Sequence, residues 1–159
     1  MPGTELRFEH EIDLPASVVW DALVDPVLLE GWLGAVEPSP LSAAELSIEW
    51  LDGSEPTTTL ARVERIEHFR TLRLGTDNRG TIEFLLTEVP GGLRGRGTVL
   101  ELSIQLSAEA RFASTARLDW EWALERLDDL LSGRPADWAA ITRLRSGILA
   151  HMSRTDNIR

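Results

Sequence analysis

The sequence lacks three side chains that many enzymes use for covalent or acid–base chemistry. It has no cysteine and no tyrosine, and all 16 of its basic residues are arginine. Without cysteine there is no disulfide, no thiolate nucleophile and no cysteine-ligated metal. Without lysine a side chain cannot form a Schiff base. Acid–base chemistry is therefore limited to three histidines, the carboxylates and arginine.

Motifs for metals, nucleotides and activated serines are also missing. The histidines, His10, His68 and His151, are far apart and show no H-x-x-x-H or H-x-H spacing, so we expect no zinc or iron site. The sequence has no P-loop, no G-x-G-x-x-G and no G-x-S-x-G motif. We therefore expect a protein without a metal or a cofactor.

Charge and hydropathy exclude further classes of partner. The net charge of −10 repels a phosphate backbone, so we expect no nucleic acid and no anionic membrane as partner. No apolar run approaches the roughly 18 residues that span a bilayer. The first 14 residues have neither the basic nor the apolar region of a signal peptide, which predicts a cytoplasmic protein.

The charge is unevenly distributed along the chain. Residues 1–133 contain 11 arginines and 24 acidic residues, whereas residues 134–159 contain 5 arginines and 2 aspartates. A basic C-terminal segment and an acidic body are complementary. The segment can therefore dock on the body of its own chain or on that of a second copy.

The hydrophobic pattern of the first 33 residues predicts one strand followed by two short helices. Residues 5–14 alternate apolar and charged side chains, as expected for a strand with one solvated face. Residues 15–33 change to a helical spacing, in which Pro15 and Asp25–Pro26 are typical helix starts and Gly31 is a typical end.

The middle of the sequence predicts a series of antiparallel strands before one long helix. Turn signals at Asp52–Gly53, Asp77–Gly80 and Pro90–Gly92 separate short alternating segments within residues 45–107. Residues 115–132 then carry the strongest helix signal, because their apolar side chains recur at helical spacing.

These elements place the protein in the α+β class. We expect one domain over residues 1–133, in which an antiparallel sheet of about six strands curves around the long helix. Gly133 and Pro135 are typical of a helix end, so a separate helical extension is expected over residues 134–159. The long helix is the only predicted element able to cover the apolar face of the sheet.

Three segments resemble the SRPBCC superfamily, whose members have the START-like, helix-grip fold. They are Phe8–Gly34, with its strand, Val-Trp-x-Ala-Leu, Asp-Pro and Trp pattern, then Ala61–Thr76, and Asp119–Gly133. The last is similar to the Gly-Trp-x-x-x-Leu-x-x-Leu helix of the bacterial homologues of the heat-shock-chaperone ATPase activator. The chain departs from that pattern at Asp119, where the family usually has glycine. The resemblance covers residues 5–133 and implies the helix-grip fold.

The resemblance also implies a ligand cavity between the sheet and the long helix. His10 interrupts the apolar face of the first strand, so it is a candidate for orienting a ligand or moving a proton. The alternative is a core histidine bonded to a neighbouring group. For the tryptophans and the apolar residues of the sheet, the alternative to ligand contact is that they only fill the hydrophobic core. The predicted ligand-binding residues are His10, Trp32, Trp50, Phe84, Leu102, Ile104, Trp120 and Leu124.

Three functions are compatible with the sequence. The first, which we expect, is binding of a small, mostly hydrophobic molecule such as a lipid, a polyketide or an aromatic metabolite. The second is a polyketide cyclase, dehydratase or hydrolase that uses His10 as its acid–base group. The third is a protein-interaction or chaperone-cofactor-like module that uses residues 134–159, which includes a homodimer formed through that segment.

Overall fold

The helices and strands follow one another in the predicted order, and the sheet has one strand more than expected. The structure is a computed structural model, and it describes residues 3–52, 57–91, 95–107 and 113–141. The elements are β1 (Thr4–Ile12), α1 (Ala16–Val24), α2 (Pro26–Glu30), β2 (Gly34–Glu37), β3 (Glu45–Trp50), β4 (Thr57–Glu67), β5 (Thr71–Thr76), β6 (Thr81–Pro90), β7 (Arg96–Leu106) and α3 (Ala113–Leu131).

The strands form one curved antiparallel sheet, which confirms the α+β class. Their order across the sheet is β1-β7-β6-β5-β4-β3-β2, so that β1 and β2 lie at the two edges. The sheet has seven strands rather than about six, because residues 34–37 pair with β3 as a short edge strand. Four residues are too few for the alternation of a strand to be recognised in the sequence.

The helix α3 covers the inner face of the sheet, as expected. In the strands that face it, alternate residues are buried, and from Leu100 to Leu106 the inner face of β7 is apolar. Five apolar side chains of α3 point to the same side at helical spacing and are each at most 6% exposed: Ala116, Trp120, Ala123, Leu124 and Leu127. The core of the domain is the layer between these two surfaces.

The two short helices fix the position of Trp32, which is fully buried in the turn between α2 and β2. The side chain of Asp25 accepts a hydrogen bond from the backbone N–H of Val27, and Pro26 occupies the first helical position of α2. The indole N–H of Trp32 donates to the carbonyl of Ala22 in α1 at 2.8 Å. These contacts pin the Trp32 ring between α1 and the sheet.

After α3 the chain turns back onto α2. Gly133 has a φ of +89°, and the backbone N–H of Arg134 bonds to the carbonyl of Asp129 at 2.8 Å, as in a glycine-terminated helix. The backbone N–H of Ala136 then donates to the carbonyl of Gly31 at 2.9 Å. Residues 138–141 are helical.

The remainder of the predicted extension, residues 142–159 with His151, lies outside the described residues. A homodimer formed through this segment therefore remains a prediction. Among the helices that the structure describes, none has the length and apolar character needed to cross a membrane.

A substitution of Gly80, in the turn between β5 and β6, tests how closely this turn packs against β7. It has a φ of +76°, and a Cβ atom there would lie 2.2 Å from the carbonyl oxygen of Gln105. Gly80→Ala therefore combines a left-handed backbone with a clash, and we expect it to lower the free energy of unfolding by about 3 kcal/mol. Urea denaturation followed by tryptophan fluorescence measures the change.

Gly133→Ala is the matched control for Gly80→Ala. Its φ is similar, but no atom lies within 4 Å of the position that its Cβ would take. It carries the cost of the left-handed backbone alone, about 1–2 kcal/mol. Equal losses in the two variants would contradict the packing of the β5–β6 turn against β7.

Candidate functional site

Four aromatic rings form a continuous series between the sheet and α3, which we call the aromatic cluster: Trp32, Phe84, Trp120 and Trp50. The ring centroids of Trp32 and Phe84 are 6.2 Å apart, those of Phe84 and Trp120 6.4 Å, and those of Trp120 and Trp50 6.0 Å. Each pair meets edge to face, the arrangement that the ring quadrupoles favour. All four residues belong to the predicted ligand-binding set.

A chain of hydrogen bonds holds the outer ring of this cluster. The indole N–H of Trp50 donates to the hydroxyl of Thr59 at 2.7 Å, and this hydroxyl donates to the side-chain oxygen of Asn78 at 2.6 Å. The amide of Asn78 then donates to the carbonyl of Thr58 at 3.2 Å. Thr59 is fully buried, so its hydroxyl is a dry hydrogen-bond partner that helps to orient the Trp50 ring.

Four charged side chains surround the Trp50 end of the aromatic cluster, and we call them the charged cluster: Asp52, Arg79, Asp119 and Arg126. They come from three places in the chain, namely the end of β3, the turn between β5 and β6, and α3. The guanidinium of Arg79 lies over the ring of Trp50, 4.7 Å from its centroid. This is the distance of a cation–π contact.

Arg126 is the most buried member of the charged cluster, since only 9% of it is exposed. Its Nε donates to the carbonyl of Trp32 at 2.8 Å, and a terminal guanidinium nitrogen lies 3.8 Å from a carboxylate oxygen of Asp52. One guanidinium thus joins α3 to the end of α2 and to the end of β3. Arginine suits this role because its planar group offers several donors at fixed angles.

Burial and two neighbouring carboxylates act in opposite directions on the pKa of Arg79. Burial lowers the pKa of Arg79 below its ordinary value, because the cation loses part of its hydration. The carboxylates of Asp119 and Asp52 act in the opposite direction and favour the cation. A desolvated cation that depends on two neighbouring carboxylates is typical of binding sites, although ion pairs with a structural role have it too.

The space enclosed by the two clusters is small. Trp50, Trp120, Ala123 and members of the charged cluster line an internal space of about 20 Å³. One water molecule needs at least roughly 10–15 Å³ of such space, whereas ligand pockets usually measure about 300–1,000 Å³. A larger depression of about 720 Å³ lies elsewhere, between the start of β1, the β5–β6 turn and the end of β7.

The other predicted site residues lie in the same core but do not line this space. Leu102 and Ile104 are paired with Phe84 and Ile82 on the sheet floor, and both are at most 1% exposed. Leu124 faces the sheet from α3 and is 6% exposed. Leu102 and Ile104 therefore flank the aromatic cluster on the sheet side, and Leu124 flanks it on the α3 side.

His10 lies on the edge strand β1, at the end of the sheet remote from Trp50 on β3. Its Nε2 is 2.7 and 2.8 Å from the two carboxylate oxygens of Asp128 on α3, and its side chain is 28% exposed. His10 thus lies on the expected inner face of β1, and it is bonded to the side chain of Asp128. The structure does not bring it to the space beside Trp50 and Trp120.

The charged cluster is not predicted as a site from the sequence. The turn signals account for Asp52 and Arg79, and Asp119 stands out only as a departure from a family pattern. One signal was present on α3: Asp119, Ala123 and Arg126 follow the spacing of one helix face and adjoin Trp120. Two opposite charges on the face that carries the central tryptophan indicate a polar boundary to the core.

Thr59 offers a test of how Trp50 is held. Thr59→Val keeps the shape of the side chain but leaves the indole N–H of Trp50 and the oxygen of Asn78 without this hydrogen-bond partner. We expect a loss of about 1–3 kcal/mol in the free energy of unfolding, measured by urea denaturation. Thr58→Val, at an exposed neighbouring position, is the control and should stay within about 0.5 kcal/mol of the parent protein. A Thr59→Val protein as stable as its control would show that the hydroxyl does not hold Trp50.

Comparison with known proteins identifies the fold. No protein-family model matches the chain, and no curated protein sequence matches it either. Solved structures do match. CalU16 from Micromonospora echinospora is 22% identical, with 92% of this chain and 86% of CalU16 covered and a TM-score of 0.63. An AHSA1-like protein from Aeromonas hydrophila is 15% identical, with 82% and 93% covered and a TM-score of 0.66.

DynU16, a protein of the dynemicin biosynthetic locus, is a further structural neighbour. It is 22% identical over 84% of this chain, with a TM-score of 0.60, and this chain spans about half of its length, 49%. At such identities the likeness concerns the fold. The chain therefore has the helix-grip fold of these proteins, as the three sequence segments implied.

Proposed function

We propose that the protein binds a small, mostly hydrophobic molecule between the sheet and α3, at the end where Trp50 and Trp120 meet the charged cluster. The observation that carries this proposal is the charged cluster itself. Its members line the internal space together with two tryptophans. Aromatic walls with a few convergent polar groups are the usual composition of a ligand site.

Burying the charged cluster costs free energy. Taking a guanidinium out of water costs several kcal/mol unless its partners compensate, and an apolar replacement of similar size often stabilises a protein. A charged cluster in this position therefore adds little to stability for what it costs. It supports a role in recognition, in which the tryptophans contact the apolar body of a ligand and the charged groups contact a polar substituent.

A ligand has to enlarge the space before it can enter. About 20 Å³ holds no organic molecule, so the ring of Trp120 or the helix α3 must move away from Trp50. Burial of about 200 Å² of apolar ligand surface contributes roughly 5 kcal/mol at about 25 cal/mol per Å². Opening and association offset part of this gain, so we expect micromolar affinity.

The structural neighbours are consistent with such a ligand. DynU16 belongs to the dynemicin biosynthetic locus. A fold shared at 22% identity does not specify a ligand, so the proposal keeps a lipid, a polyketide and an aromatic metabolite.

The two other functions have less support. The contact of His10 with Asp128 is an arrangement that an acid–base enzyme can use, but it lies apart from the proposed ligand site. The interaction module depends on residues 134–159, of which the described part, residues 134–141, contacts α2 of its own domain. We therefore favour ligand binding over both alternatives.

Ala123→Met tests the location of the ligand site. Ala123 is 2% exposed and lines the internal space, so a methionine there fills it and blocks its enlargement. The probe is 8-anilinonaphthalene-1-sulfonate, an aromatic molecule with one anionic group, titrated by fluorescence. We expect the affinity of the parent protein for it to fall at least about tenfold in the variant, which corresponds to about 1.4 kcal/mol.

Ala116→Met is the matched control. It is also a buried alanine on α3, at 4% exposed, but it does not line the space. Overpacking should destabilise both variants by a similar amount, about 1–3 kcal/mol, which thermal denaturation measures. Equal affinities in the two variants would contradict the proposed site, and so would a parent protein that does not bind the probe.

A further inference from the structure

The first residues after α3 reach the charged cluster from outside. The indole N–H of Trp138 donates to the carbonyl of Glu30 at the end of α2. The ring of Trp138 lies against the guanidinium of Arg126, 4.9 Å from the centroid to Cζ. With the backbone bond from Ala136 to Gly31, three contacts tie residues 134–141 to the domain.

Arg126 is shared between this segment and the proposed ligand site. One side of its guanidinium meets Trp138, and the same side chain lines the internal space beside Trp120. It also donates to the carbonyl of Trp32, only two residues after the carbonyl that Trp138 binds. The position of Arg126 therefore depends on contacts made on both sides.

We propose that residues 134–141 form a latch that holds the ligand site closed through the contact of Trp138 with Arg126. This inference rests on the proposed function and describes its regulation. In the latched state α2, α3 and the end of β3 are joined at one guanidinium. Release of Trp138 removes one of the groups that fix Arg126, so that α3 can move away from Trp50 and the space can enlarge.

The size of the effect follows from the contacts that are lost. A cation–π contact typically changes an equilibrium several-fold, and a solvent-exposed hydrogen bond such as that of Trp138 adds a factor at the lower end of the usual range. If only the open form binds, the apparent affinity rises in proportion to the open population. Loss of both contacts should therefore strengthen ligand binding by about tenfold, mainly through faster association.

Two substitutions of Trp138 separate its two contacts. Trp138→Ala removes both of them, whereas Trp138→Phe keeps a ring against Arg126 and removes the hydrogen bond to Glu30. The control is Arg134→Ala, which breaks an exposed ion pair with Asp129 in the same segment and leaves Trp138 in place. The full chain is used, and thermal denaturation checks that each variant is folded.

The first measurement is stopped-flow association of 8-anilinonaphthalene-1-sulfonate. We expect about tenfold faster binding for Trp138→Ala, an intermediate rate for Trp138→Phe and an unchanged rate for Arg134→Ala. The second measurement, hydrogen exchange without any probe, should show faster exchange of the amides of residues 30–35 in Trp138→Ala. Both results together support the latch.

Other results overturn the latch and distinguish it from the proposed function. If the parent protein and Trp138→Ala bind the probe equally, the latch is wrong and the ligand site stands. Faster exchange without faster binding has the same meaning, because the segment then clamps α2 without controlling the site. If neither protein binds the probe, the proposed function fails and the latch fails with it.

Discussion

One long helix has to cover the inner face of a seven-stranded sheet, and the rest of the structure depends on how it does so. The sheet is curved, and a straight helix meets a curved surface closely only over part of its length. Large aromatic side chains fill the remaining distance. Trp120 on α3 reaches Phe84 in the sheet and Trp50 on β3, and Trp32 extends the series to the short helices. The apolar core is closed by rings rather than by aliphatic side chains alone.

The same geometry produces a polar boundary beside Trp50. The ends of β3 and α2, the β5–β6 turn and α3 meet there, and backbone carbonyls at such ends need donors. Arg126 supplies one to Trp32, while Arg79 lies over Trp50 with two carboxylates nearby. A place where charge, aromatic surface and a small space coincide is the part of the domain best suited to recognise a molecule.

The sequence predicts the elements of this fold because their periods are strong. The alternation in β1 and β7 and the helical stripe of α3 each extend over many residues, and Gly133 marks the end of α3. The strand β2 is missed because four residues carry no recognisable period. His10 is placed on the correct face by alternation, whereas its partner Asp128, 118 residues away, depends on the packing of α3.

The site is less predictable than the fold because it depends on long-range packing. Arg79 and Asp52 occur in turn motifs, and only the sheet order brings the β5–β6 turn beside Trp50. The volume of a cavity is the small difference between two large volumes, that enclosed by the backbone and that occupied by the side chains. The four aromatic residues lie in contact with one another, and their role in ligand binding stays a prediction. The near-absence of free space beside them follows only from their rotamers.

The most direct test of a ligand site at Trp50 and Trp120 uses the six tryptophans as separate reporters. A nitrogen-15 correlation spectrum resolves one indole N–H signal for each tryptophan, and the signals can be assigned by single Trp→Phe substitutions. On titration with 8-anilinonaphthalene-1-sulfonate, we expect saturable shifts of the Trp50 and Trp120 signals, with little change at Trp20. Shifts confined to the other tryptophans, while Trp50 and Trp120 stay unchanged at saturation, would contradict a ligand site at these two residues.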